Sequence, residues 1–369
     1  MSDRDAYPPG QYPDLPPPVL TSGPVFWMRK NLFSGPFNTL MTLLAFYLLY
    51  LMVPPSIDWM LLSADWVGKS RDECVSSGAC WAIVTDRWDQ FIYGFYDDDL
   101  RWRPNLAFLL LIPALAPILF DKMPYRRPLL AFSVAYPSIA AWLLLGDGWI
   151  LEEEETSKFG GLLLTIVIGL TGIALSLPVG ILLALGRRSE LPAVRILCVL
   201  FIEFIRGVPL ITLLFMGSVL LPLFLPQGVN FDVLLRILIA VTLFASAYMA
   251  EVIRGGLQAI PRGQYEAADA IGLGYWRKMR LIILPQALKI SIPGIVNTFI
   301  GLFKDTTLVI VVGLLDLLGV GKSNLADIKW IGLAQEVYIF VAIVFFIFCF
   351  GMSRYSIWLE DKLHTGHKR

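Results

Sequence analysis

The chain has 369 residues, 56% hydrophobic and 16% charged, with a mean hydropathy of +0.66 and a formal net charge of zero. Soluble domains carry about 25% charge and 45–50% apolar residues, so most of this chain requires a solvent other than water. Its basic segments are short and interleaved with apolar runs, which argues against a nucleic-acid interface; no zinc-spaced Cys/His cluster or nucleophile elbow is present to support metal chemistry or covalent catalysis.

Residues 1–36 are polar and proline-rich, without the basic start, short apolar core and small-residue cleavage site of a secretory signal. A disordered tail followed by an uncleaved first span is expected there. A bilayer-crossing helix needs about 17–25 mainly apolar residues. Eight stretches near that length are candidates: 37–53, 105–120, 128–145, 162–185, 207–225, 233–253, 286–303 and 337–353. The predicted fold class is an all-α polytopic membrane protein with eight transmembrane helices. Residues 308–320 form a shorter apolar run, of a length that suits an interfacial or re-entrant segment.

Charge orients the spans. Loops 121–127 and 187–195 each carry three basic residues and one acidic, and segment 254–289 carries six against two. The opposing loops are acidic: five basic against nine in 54–104, and one against five in 147–160. Basic loops stay on the cytoplasmic side, which predicts two cytoplasmic termini and a large external loop at 54–104. Cys74 and Cys80 lie in that loop; if it faces an oxidising compartment a disulfide is open to them, while Cys198 and Cys349 read as small buried hydrophobes.

The span at 162–185 places Gly172, Ser176, Gly180 and Ala184 on one face, where another backbone can approach closely, within this subunit or across a subunit interface. An organisational seam is expected near Gly160. It separates a three-span extension (37–160) from a five-span, motif-rich part (161–369).

Between the sixth and seventh spans, Pro261 can open a short helix at its first position, and Gly272 or Gly274 can close it in the left-handed conformation. Ala267, Ala268 and Ala270 keep the helix thin, suited to a groove on another protein, and a new helix can start at Pro285. Five charged residues lie in or beside apolar runs: Glu203, Arg206, Glu251, Arg254 and Asp305. Intramembrane charges are expensive and mark a pathway or a paired interior. Glu203 with Arg206, and Glu251 with Arg254, are spaced to neutralise each other on one helix face. Alternatively, a carboxylate and a cation facing a cavity would suit the ammonium and carboxylate of an amino-acid zwitterion. Gly207 and Pro209 would break the helix beside Arg206 and free backbone groups, as Pro293, Gly294 and Asn297 could in the seventh span. Candidate substrate contacts are therefore Glu203, Arg206, Glu251 and Asn297. The run from Asp316 to Ser323 nearly matches a phosphate-cradling loop, but Asp316 replaces its first glycine; a glycine turn with a solvated Lys322 is expected instead.

Glu266-Ala267-Ala268, Gly272 and Ile282 through Leu284-Pro285 carry the spacing of the EAA loop, and in this respect the chain resembles type I ABC importer permeases. Glu203 through Leu210, Ala247 through Gly256, and Asn297 through Leu308 are similar to polar amino-acid permeases of that family, with Val208 where threonine is more usual. The likeness covers about 160–369; the leading spans and large loop resemble the longer permease of general L-amino-acid transporters. The resemblance implies a coupling loop at 255–285, with Glu266, Ala267, Ala268, Gly272 and Pro285 engaging an ATPase subunit dimer. It also implies a second permease subunit (a shorter homologue in a heterodimer), a periplasmic amino-acid-binding protein and alternating access in a bacterial inner membrane. No cofactor is expected in this chain, ATP and Mg belonging to the ATPase. The competing expectation is an ion-coupled secondary transporter or channel, which would need no ATPase.

Overall fold

A computed structural model describes residues 23–224, 226 and 231–363, and packing divides the chain into two compact units. Most of the expected N-terminal tail, and the histidines at 364 and 367, lie outside the described residues.

The first unit comprises residues up to Asp65 with Val75–Ala79. Helices α1 (Pro24–Asn31) and α2 (Pro36–Ile57) each begin with proline, whose missing N–H costs nothing at a first turn. A π turn, Asp58–Leu62, prolongs α2, giving an apolar helix over Pro36–Leu62 that is longer than the predicted 37–53. Within this unit the Asp65 carboxylate accepts the Ser76 amide at 2.9 Å, and the hydrogen bonds from Ser76 hold its pKa below the usual range.

The second unit holds Trp66–Cys74 and everything from Cys80 onward. Short helices α3 (Ala82–Asp86) and α4 (Trp88–Tyr93) precede the antiparallel pair α5 (Trp102–Leu119) and α6 (Arg126–Leu145). The long helix α7 (Gly161–Arg187) follows, then α8 (Pro192–Gly207), α9 (Leu210–Phe215) and α10 (Leu221–Phe224), with a π turn at Met216–Leu220 between the last two. Next come α11 (Val233–Ala259), α12 (Arg262–Ala270), α13 (Tyr275–Lys278) and α14 (Leu284–Asp305). Finally α15 (Leu317–Leu325) leads to α16 (Ala334–Leu363).

Among the described residues, seven helices are long and apolar enough to cross a membrane, or eight if the bent pair α8 with α9–α10 makes one span. That pair corrects the predicted span at 207–225. Helicity extends upstream to Pro192, and the axis turns by 104° at Gly207–Pro209. Hydropathy counted the apolar residues after the break, while α8 carries Arg195, Glu203 and Arg206 and fell below the threshold. A second correction concerns Pro285. The helix is already under way at Tyr275, and a π turn at Met279–Ile283 joins α13 to α14. A π turn shifts the hydrogen-bond register, which accommodates a proline that cannot donate.

The core is built on α7 against α11. Gly172, Ser176, Gly180 and Ala184 are all buried within the unit, so the small-residue face serves packing inside this chain. A Cβ at Gly180 would come 2.7 Å from the Met249 side chain of α11. The α7 helix spans about 40 Å at 1.5 Å per residue, the full thickness of a bilayer with its headgroups.

At the Gly161 end of α7, the segment around α3 and α4 is fastened in place. Cys74 and Cys80 form a disulfide, Arg71 donates to the Ile331 carbonyl at 2.8 Å, and Arg87 pairs with Asp327 at 2.6 Å. The Phe91 ring meets Phe340 of α16 edge-on at 4.9 Å. Spans α5 and α6 join the same unit; Tyr355 of α16 donates to the Leu119 carbonyl at 2.8 Å. Compact packing therefore does not follow the expected boundary at 160.

The near-match to a phosphate loop is also resolved. Residues Leu317–Leu325 are helical, not a glycine turn, and Asp316 caps that helix by accepting the Gly319 amide at 2.9 Å. The amide that would face a phosphate is thus taken. Lys322 is exposed, as expected. Asp316 itself is fully buried, and burial pushes its carboxyl up to about 6.

A short docking helix and an ion cluster

Helix α12 stands at the Arg187 end of α7. Pro261 is its N-cap, one position earlier than expected. Its C-terminus closes with the Leu273 amide donating to the Ala268 carbonyl and the Gly272 amide to the Asp269 carbonyl. This pattern requires a left-handed residue, and Gly272 supplies it at φ +74°; Gly274 is extended. Ala268 faces inward, while Glu266, Ala267 and Gly272 are exposed, and a Cβ at Gly272 would meet nothing. One side of the helix is thus narrow and unobstructed.

The other side is fixed to the bundle. Below it lies a core of Ala184, Leu185, Met249, Ile253, Leu257 and Ile283, against which Tyr265 packs. The Tyr265 hydroxyl donates to the Leu257 carbonyl of α11 at 3.2 Å and accepts from Arg188, next to the end of α7, at 3.1 Å. Lys278 pairs with Asp269 at 2.6 Å, and Gln286 donates to the Gln264 side chain at 3.1 Å. Pro285 immediately precedes Gln286, inside the continuous helix.

Beside this helix, three of the four candidate substrate contacts come together. Glu251 of α11 accepts from Arg187 at 2.6 Å and from Arg254 at 2.8 Å, with Arg206 of α8 at 3.8 Å. Arg187 also binds Glu203 at 2.9 Å, and the Arg206 guanidinium lies 5.5 Å over the Tyr248 ring. Of the two expected pairs along one helix, Glu251–Arg254 forms. Glu203 and Arg206 instead find partners on neighbouring helices, because α7 and α11 bring Arg187 and Glu251 against the end of α8. Glu251 is 15% exposed, so low-dielectric surroundings strengthen its contacts; Glu203 is 54% exposed and its pair is worth little by itself. Asn297, an exposed residue on α14, stands outside the cluster.

Sequence reasoning missed Arg187 and Arg188, which it counted only as loop charges. Their position at the end of a long apolar run, where a cation favours the helix C-terminus, was the available signal. Arg236 was missed as well: this buried cation of α11 donates to the Ser218 carbonyl in the π turn, where disrupted helical hydrogen bonding leaves acceptors available.

The long apolar helices, the broken helix and the exposed peg with its charged footing define a polytopic membrane transport component. The chain belongs to the family described as binding-protein-dependent transport system inner membrane component, whose profile matches residues 176–364. It is 52% identical to the inner membrane amino-acid ABC transporter permease protein YhdY of Escherichia coli, over 96% of this chain and 97% of that protein. It is 47% identical to the glutamate/glutamine/aspartate/asparagine transport system permease protein BztC of Rhodobacter capsulatus, over 96% of each. A crystal structure of an amino acid ABC transporter with histidines is matched at 30% identity and a TM-score of 0.49, covering 55% of this chain and 92% of that one.

Proposed function

We propose that the chain is the permease subunit of an ATP-driven amino-acid importer, and that α12 receives the work done by a separate ATPase dimer. The observation that carries this reading is the exposed Glu266, Ala267 and Gly272 face of a short helix whose opposite face is bonded to the ends of α7 and α11. Such a helix can seat in another protein and pass displacement to the spans. The names of the two relatives support amino acids as cargo, with polar and acidic side chains or a broad range as the proposed class.

The basic loops support a cytoplasmic location for α12 and both termini. The disulfide supports an oxidising, external location for the opposite end. The three-span leader acts as an extension of the five-span core. A heterodimer with a shorter permease and a periplasmic binding protein complete the transporter. ATP and Mg are held by the ATPase. Glu203, Arg206, Glu251 and Asn297 remain proposed contacts for the passing zwitterion; the first three become available only when the ion cluster opens.

The test is reconstitution with ATPase, second permease and binding protein in proteoliposomes. Binding-protein-stimulated ATP hydrolysis coupled to uptake is expected, and Gly272→Asp abolishes the coupling while the chain still inserts. Uptake driven by an ion gradient without an ATPase would favour the secondary-transporter reading.

A further inference from the structure

The contacts around α12 continue beyond it in an unbroken series. Tyr265 holds Arg188 at 3.1 Å, with the guanidinium 5.6 Å over the ring. Arg188 follows Arg187, the last residue of α7. One Arg187 nitrogen binds both Glu203 and Glu251. The second oxygen of Glu251 faces Arg254 and Arg206. Arg206 lies immediately before the 104° break at Gly207–Pro209.

We propose that Glu251 is a positioning residue at the centre of an ionic relay, Tyr265–Arg188–Arg187–Glu251–Arg206, through which displacement of α12 changes the bend between α8 and α9. This deepens the coupling reading above and rests on it. Three observations carry the assignment. The series crosses three separate elements, α12, α7 and α11, before reaching α8, so no single helix could transmit the movement along its own backbone. The cluster holds three arginines against two carboxylates, so one cation is always in excess and partners can exchange without stranding a carboxylate. Arg206 makes the longest of the three contacts to Glu251, at 3.8 Å, and is the partner that exchanges first. The break has room to move, since a Cβ on Gly207 would meet nothing within 4 Å. Interfaces of this kind switch between discrete arrangements and do not deform continuously.

The experiment measures ATP hydrolysed per amino acid imported, in proteoliposomes holding the complete transporter with its binding protein. The variants are Glu251→Gln, Arg187→Gln, Arg187→Lys, Tyr265→Phe and the double variant Tyr265→Phe/Glu251→Gln. The ratio is expected to rise at least fivefold in Glu251→Gln and Arg187→Gln. It should rise two- to fivefold in Tyr265→Phe, and return toward wild type in Arg187→Lys, which keeps the charge. The double variant should be no worse than Glu251→Gln alone, because both changes cut one series. A ratio unchanged in every variant, or losses that multiply in the double variant, overturns the relay. If Glu251→Gln fails to assemble, Tyr265→Phe decides alone: an unchanged ratio overturns the relay and a raised one supports it. A wild-type complex with no binding-protein-stimulated hydrolysis overturns the proposed function itself, and the relay with it. A coupled wild type with unaffected variants overturns the relay only.

Discussion

At Asp316 a helix cap and a buried charge are the same side chain. Its carboxyl is pushed up to about 6 by burial, against the two amide bonds from the α15 turn that favour the anion. An unfolded carboxyl ionises near pH 4. Between about pH 4 and pH 6 the unfolded chain therefore loses this proton while the folded chain keeps it, and the folded state loses relative stability as pH rises. By about pH 7, where the folded carboxyl has ionised as well, the loss is complete and amounts to about 3 kcal/mol. Asp316→Asn retains a capping oxygen and removes the ionisation. Thermal unfolding in detergent should show wild-type stability falling between pH 4.5 and pH 7.5, with a markedly smaller fall in the variant. Equal slopes would remove Asp316 as the cause. Gly272 poses a different constraint, since open space surrounds it and only its φ of +74° restricts it. Gly272→Ala should cost about 1–2 kcal/mol of local helix-end stability. Amide exchange at Leu273, whose N–H closes the turn, should accelerate accordingly.

Elements differ in how much of them could be read before the structure. Helix α12 was legible because its signals are local: a proline before it, alanines within it and a glycine after it. The break at Gly207–Pro209 was also legible, as two residues poorly suited to continuous helix. Helix α8 was not, because a helix carrying Arg195, Glu203 and Arg206 fails a hydropathy threshold while still placing Ile202 in the core. The π turn before Pro285 could not be read either, since it is a backbone answer to one missing N–H. The ion cluster was half legible. Its charged residues stood out in apolar runs, but their pairing depends on where α7 ends relative to α11. The small-residue face of α7 now has a defined partner, which makes it testable. Gly180→Leu would drive a side chain into Met249 and should lower the unfolding temperature, overpacking costing about 1–3 kcal/mol. An unchanged melting temperature would show that the α7–α11 contact yields more readily than its packing implies.

The whole molecule carries distinct features at the two ends of α7. At the Gly161 end, the Cys74–Cys80 disulfide and the contacts of Arg71 and Arg87 fasten the α3–α4 segment to the loop before α16. At the Arg187 end, the ion cluster and α12 are linked by side chains. The proposed sidedness rests on loop charge, and thiol chemistry tests it. In intact cells, a membrane-impermeant maleimide added after an impermeant reductant should label Cys74, the more exposed of the pair; labelling that appears only after lysis would reverse the topology. If α12 receives work from an ATPase, the two must touch. The most direct measurement is site-specific crosslinking from Ala267→Cys, on the exposed face of α12, in membranes containing the assembled transporter. A crosslink to the ATPase subunit, with a yield that changes with nucleotide, is expected. A crosslink formed only with external proteins, or none to any ATPase despite full assembly, would contradict it.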